Sequence, residues 1–176
     1  ATGSTDSLDQ ALAMIGDYPF IMKPFEGTHG DALLLMDTRT SLRSATGAMC
    51  DLHQDYIIQP FIKESAGKDF RVLVVGGRAV ASMKRIAQAG EFRSNIHRGA
   101  RGTSVELPSA CVEMAIRAAG IMELEVAGVD LLLTPEGPLV LEVNPSPGLE
   151  EIETVTGLRI AEEIIEFSTE YLQLVC

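Results

Sequence analysis

Along the chain, short apolar runs of strand length alternate with amphipathic stretches of helical length, separated by glycine- and proline-bearing breaks. Residues 6–16 predict a short helix, with Asp6 or Ser7 placed to cap it and Gly16 to close it. Residues 18–24 and 31–36 predict strands flanking the irregular stretch Phe25-Glu-Gly-Thr-His-Gly30, and residues 39–52 a helix. Residues 56–62 predict a strand whose Pro60 assigns it to a sheet edge or exit. A second block opens with strands over 69–75 and 78–86, joined at Gly76-Gly77 as a hairpin. Residues 90–102 predict a polar loop, and 109–122 an amphipathic helix with Met114, Ala118 and Met122 among its apolar positions. Strands over 126–133 and 138–144 follow, joined by the turn Thr134-Pro-Glu-Gly137. A closing helix over 157–174 places Ile160, Ile164, Phe167 and Tyr171 at helical spacing. The order predicts an α+β protein of two lobes meeting near residue 61, and a ligand site in the cleft between lobes.

Composition narrows the function classes. The 176 residues include 25 acidic and 14 basic ones, a net charge of −11 that disfavours a nucleic-acid or anionic-membrane binder. A small anionic ligand held by a few local cations remains compatible. Cys50, Cys111 and Cys176 are odd in number and far apart, which argues against a disulfide framework or a zinc site. No apolar run reaches the roughly 20 residues of a membrane span. The first residues carry no basic, signal-like segment, so a cytoplasmic protein is expected, and the missing initial methionine suggests a fragment.

Three constellations carry candidate chemistry. Glu142 and Asn144, two apart in a strand, share a face, and the hairpin turn sets Asp130 opposite Glu142. Two carboxylates and an amide oxygen of that kind suit Mg²⁺ or Mn²⁺. The alternative is an ordinary solvated hairpin face, but two facing like charges repel without a cation between them. Lys23 runs into Glu26-Gly-Thr-His-Gly30, where one cation and bare backbone N–H groups can surround a phosphate, although strand–loop–strand is also an everyday hairpin. The loop Gly90-Glu-Phe-Arg-Ser-Asn-Ile-His-Arg-Gly99 concentrates arginine in an acidic chain, so Arg93 and Arg98 are candidate clamps for phosphate or carboxylate oxygens. Lys84 and Arg85 precede that loop and add positive charge.

Taken together, Lys23, Glu26–Gly30, Asp69-Phe-Arg71, Gly90–Asn95, Ala127-Gly-Val-Asp130 and Glu142-Val-Asn-Pro-Ser-Pro-Gly148 resemble the ATP-grasp ligases, and most closely the RimK-type α-L-glutamate ligases. The resemblance runs from about residue 18 to 170. It implies an ATP-grasp fold of two α+β lobes with mainly antiparallel sheets enclosing the nucleotide. Residues 1–61 would form a first lobe truncated at its start, and 62–176 a second lobe with the metal-binding hairpin. Lys23, Gly27, Thr28 and Gly30 would then bind ATP phosphates, and Pro60 and Phe61 the adenine. Asp69, Arg93, Ser94 and Asn95 would contact the nucleotide, and Asp130, Glu142 and Asn144 would hold two Mg²⁺ or Mn²⁺ ions. Arg93, Arg71 and Arg98 would carry catalytic charge. One departure is Pro60, where the family commonly has Glu; proline keeps its carbonyl but has no N–H.

The implied reaction joins a carboxylate to an amine through an acyl phosphate made from ATP. The expected partners are ATP, an amino acid (glutamate first) and an acceptor that is a protein C-terminus or a small carboxylate. Neither membrane nor nucleic acid is expected as a partner, and a homo-oligomer is. The competing readings are an ATP-grasp ligase for another amino acid, of lysine-biosynthesis or dipeptide type, and a non-catalytic nucleotide-binding module. Alone, the fragment is expected to be inactive.

Overall fold

A computed structural model describes residues 5–25, 32–94 and 99–175. Its elements are α1 (Thr5–Ile15), β1 (Phe20–Pro24), β2 (Leu34–Met36), α2 (Arg39–Asp51), β3 (Tyr56–Pro60), β4 (Lys68–Val75), β5 (Arg78–Ile86), β6 (Arg101–Ser104), α3 (Ser109–Ile121), β7 (Val126–Thr134), β8 (Gly137–Asn144), α4 (Glu150–Thr156) and α5 (Ile160–Val175). They fall into two units, Ala1–Lys63 and Glu64–Cys176. Among the described residues no helix is long and apolar enough to cross a membrane.

In the first unit β1 lies between β2 and β3, antiparallel to both. Alternation along β1 buries Phe20 and Met22 with Leu12, Met36 and Leu42, and puts Lys23 on the opposite face. The strand expected from residue 18 starts at Phe20, because Pro19 has no N–H to give a ladder. The strand expected over 31–36 is paired only from Leu34, which meets Met22 at the last β1–β2 register position. Thr38 and Ser41 form a capping box that starts α2, the Ser41 N–H donating to Thr38 Oγ1 at 3.1 Å. As its proline predicts, β3 is an edge of this sheet and ends at Pro60.

The second unit is a five-stranded antiparallel sheet in the order β6-β5-β4-β7-β8. Gly76 and Gly77 both have positive φ (55° and 71°), as the tight turn between β4 and β5 requires. One face packs Val72, Val74, Ala127, Val129 and Leu131 against Cys111, Ala115 and Ala119 of α3. On the other face Leu73, Ala81 and Met83 pack against Ile152 of α4 and Ile160 of α5. Two expectations need correction. Arg101 and Gly102 do not end a loop but begin β6, which adds to β5 through pairs such as Lys84↔Thr103. The closing helix expected over 157–174 begins only at Ile160, as α5, and a helix not expected from the sequence, α4, precedes it and ends where Gly157 turns left-handed at φ 69°.

Candidate active site

The site develops from the second face of the large sheet. Its inner half is apolar and covered by α4 and α5, as described above. Its other half carries Asp69 and Arg71 on β4, Arg85 on β5, Asp130 on β7, and Glu142 and Asn144 on β8. Backbone register explains the grouping: Asp69 faces Arg85, Arg71 faces Asp130, and Asp130 faces Glu142. The expected hairpin register of Asp130 and Glu142 is therefore present. A bulge beyond Asp130 shifts the register so that Leu131 meets Val140, and Asn144 lies opposite Gly128.

These side chains form one connected charge network. Arg71 grips Asp130 with two parallel bonds, Nε to Oδ1 at 2.7 Å and Nη2 to Oδ2 at 2.8 Å. Arg85 grips Asp69 in the same way, both bonds at 2.6 Å, and its Nη2 also donates to Asp130 Oδ2 at 2.7 Å. Ser94, also buried, lies beside Asp69, and its hydroxyl helps to lower that carboxyl's pKa. Asp130 is 1 % exposed, Asp69 2 % and Arg85 6 %, so the network lies inside the protein. Burial alone would raise the Asp130 pKa, but the Arg71 hydrogen bonds and the two guanidinium charges outweigh it and hold the carboxyl below its ordinary value. Burial raises Asp69 against the opposing pull of Arg85. Burial would lower Arg85, but Asp130 and Asp69 hold it above its ordinary value.

This arrangement revises one expectation. The repulsion between facing carboxylates on β7 and β8 was expected to demand a metal cation. Instead, Arg71 and Arg85 already neutralise Asp130. An ionised carboxylate offers about four lone-pair positions, and Asp130 spends three on arginine. The donor set still fits a hard divalent ion at Glu142 and Asn144. Glu142 is exposed, and the Asn144 amide N–H donates to Glu142 Oε1 at 3.1 Å and to the Gly128 carbonyl at 3.4 Å, which leaves the amide oxygen as an acceptor. Gly128 is required here, since a Cβ would stand 2.7 Å from Pro147 Cβ and 3.6 Å from Arg71 Nε. Asp130 keeps its fourth position as an acceptor.

The other expected residues take these places. Lys23 is half-buried on β1, paired with Ile57. Pro60 is exposed at the end of β3, and the Phe61 N–H donates to the Pro19 carbonyl at 3.0 Å. Ser94 is buried beside Asp69. Arg93 is held by Glu91, whose Oε1 accepts from the Arg93 backbone N–H and Nε and whose Oε2 accepts from Nη2 at 2.8 Å. Those hydrogen bonds hold the Glu91 carboxyl down at about 2. Gly27, Thr28, Gly30, Asn95 and Arg98 lie outside the described residues. Sequence reasoning grouped Lys84 with Arg85, but Lys84 lies on the α3 face, its ammonium 5.9 Å from the Phe70 ring centroid. It also missed the inward turn of Arg85. The available signal was strand alternation, which places residue 85 with Ala81 and Met83 on the buried face.

The profile of the RimK-like ATP-grasp domain matches residues 2–168. A probable alpha-L-glutamate ligase of Syntrophotalea carbinolica is 48% identical over 164 residues, covering 93% of this chain and 54% of that protein. Probable alpha-L-glutamate ligase 1 of Hahella chejuensis is 47% identical, with the same two coverages. The chain thus spans about half the length of the curated relatives it matches. In fold it is similar to D-alanine–D-alanine ligase of Bacillus anthracis solved with ATP, with TM-score 0.73 and 21% identity, covering 100% of this chain and 59% of that one.

Proposed function

This chain belongs to the RimK-like ATP-grasp family, and we propose that it is the ATP- and metal-binding part of a carboxylate–amine ligase that adds glutamate to a protein C-terminus or a small carboxylate acceptor. The observation that carries this reading is the charged half of the sheet face. It presents a guanidinium fixed by a buried carboxylate beside an exposed carboxylate–amide pair. Such a surface orients and neutralises phosphate and carboxylate groups, which is what phosphoryl transfer chiefly needs from a protein. Similarity to relatives named as α-L-glutamate ligases supports glutamate as the amino acid.

The reaction proceeds in two displacements. An acceptor carboxylate oxygen attacks the γ-phosphorus of ATP, the bond to the β–γ bridging oxygen breaks, and ADP leaves. The deprotonated amine of glutamate then attacks the acyl carbon of the mixed anhydride, and inorganic phosphate leaves as the amide forms. Glu142, Asn144 and the remaining lone pair of Asp130 would hold a divalent cation, which would supply charge neutralisation on the phosphates. Arg71, with Nε and one Nη2 hydrogen locked on Asp130, has Nη1 left to orient an anionic group. Lys23 places one ammonium for phosphate, and Arg93 exchanges Glu91 for a phosphate oxygen.

The test uses the full-length protein with ATP, Mg²⁺, a panel of amino acids and candidate acceptors, following ADP release and product mass. Glutamate-dependent ADP release with a mass gain of glutamyl residues is expected. Because Glu142 is exposed, Glu142→Ala should abolish most turnover and leave the urea midpoint unchanged. Undiminished turnover in that variant would refute the site assignment. ADP release stimulated by another amino acid in place of glutamate would refute the substrate.

A further inference from the structure

Arg85 reaches across three strands. It sits on β5, grips Asp69 on the adjacent β4, and extends past that strand to Asp130 on β7. A single nitrogen, Nη2, bridges the two carboxylates, at 2.6 Å from Asp69 Oδ2 and 2.7 Å from Asp130 Oδ2. Beside Asp69 lies the buried Ser94, next to Arg93 in the loop that follows β5. At its other end, Asp130 faces Glu142 across the β7–β8 hairpin. Arg85 is thus the shared member of a buried relay that runs from the arginine loop to the hairpin.

We propose that Arg85 is a positioning residue that holds Asp130 and the Ser94 loop in the one relative arrangement in which the hairpin takes up the divalent cation of a bound nucleotide. The proposal rests on the reading of the site given above. The guanidinium is needed for its shape as well as its charge. Its planar fork satisfies Asp69 bidentately and still presents an N–H to Asp130, whereas a lysine ammonium is a single point on a flexible stem. Lys84 offers no substitute, since it lies on the opposite face over Phe70. The competing account is that Arg85 merely neutralises two buried carboxylates. On that account any change that removes the charge mismatch restores everything.

Three variants of the full-length protein separate the accounts: Arg85→Lys, Arg85→Gln, and the double variant Asp69→Asn with Arg85→Gln. The double variant leaves Asp130 paired with Arg71 and exchanges the Asp69–Arg85 ion pair for two amides. Thermal unfolding reports on the fold, and electron paramagnetic resonance titration of Mn²⁺ in the presence of ATP reports on the site. The parent should bind Mn²⁺ with ATP. Arg85→Lys should bind it about tenfold or more weakly, the range seen when a residue that orients a metal ligand is lost. The double variant should regain the thermal midpoint that Arg85→Gln loses, yet not regain the Mn²⁺ affinity. Parent-like Mn²⁺ affinity in Arg85→Lys, or recovery of affinity together with stability in the double variant, would overturn the proposal and leave the site reading standing. If Arg85→Lys does not fold, the double variant alone decides. A folded parent that fails to bind Mn²⁺ with ATP would overturn the site reading and the proposal with it.

Discussion

Replacing Asp130 with asparagine probes the network most directly. The substitution keeps the shape and removes the charge that receives three hydrogen bonds from two guanidiniums. It also turns an amide N–H₂ toward groups that can only donate. Removing one partner of a buried ion pair costs about 3–5 kcal/mol, because the other charge is left uncompensated. The lower end applies here, about 3 kcal/mol, because Arg85 keeps both bonds to Asp69 and the Arg71 side chain is 14% exposed and can recruit water. The second unit has about 110 residues, so its unfolding entropy is about 0.23 kcal/mol/K and the loss corresponds to a drop of about 13 °C in midpoint. With a urea slope near ~2 kcal/mol/M, the midpoint should fall by about 1.5 M at unchanged slope. Urea unfolding at pH 7 followed by far-UV circular dichroism measures this. A loss below about 1 kcal/mol, the level of an exposed ion pair, would refute the claim that the network is desolvated.

Further predictions address the loop, the hairpin turn and a helix start. Glu91 has a folded pKa of about 2 against 4.5, so its pairing with Arg93 stabilises the fold fully above pH 4.5 and ceases to do so as pH falls from 4.5 toward 2. The stability difference between the parent and Glu91→Gln should therefore be largest at neutral pH and vanish by about pH 2 in an acid titration of urea midpoints. Gly76→Ala should cost more than Gly77→Ala. Both positions have positive φ, which alone costs about 1 kcal/mol, but only at Gly76 would the new Cβ meet the Phe167 ring, 2.5 Å away. Equal thermal midpoints for the two variants would contradict this packing. Thr38→Ala removes the acceptor of the capping box and should lower stability by about 1 kcal/mol in chemical denaturation, with no effect expected on the second unit.

Local chemistry settles most of the elements from the sequence alone. Apolar runs of strand length mark β4, β5, β7 and β8, Gly76-Gly77 and Thr134–Gly137 mark their turns, and the spacing of Asp130, Glu142 and Asn144 puts them on one face of a hairpin. These are short-range properties, written in residues two to a dozen apart. What the sequence did not reveal depends on partners distant along the chain. Strand β6 is four residues, Arg-Gly-Thr-Ser, with no apolar signal of its own; it is a strand because β5 offers it an edge. Helix α4 precedes the stretch read as the closing helix; its seven residues bury Ile152 against the sheet, and a left-handed Gly157 ends it. The two acidic groups Asp69 and Asp130 read as ligands for a nucleotide and a metal. Only the pairing of β4 with both β5 and β7 brings Arg85 and Arg71 onto them, because a carboxylate inside a sheet takes its counter-ion from whichever strand the topology places beside it.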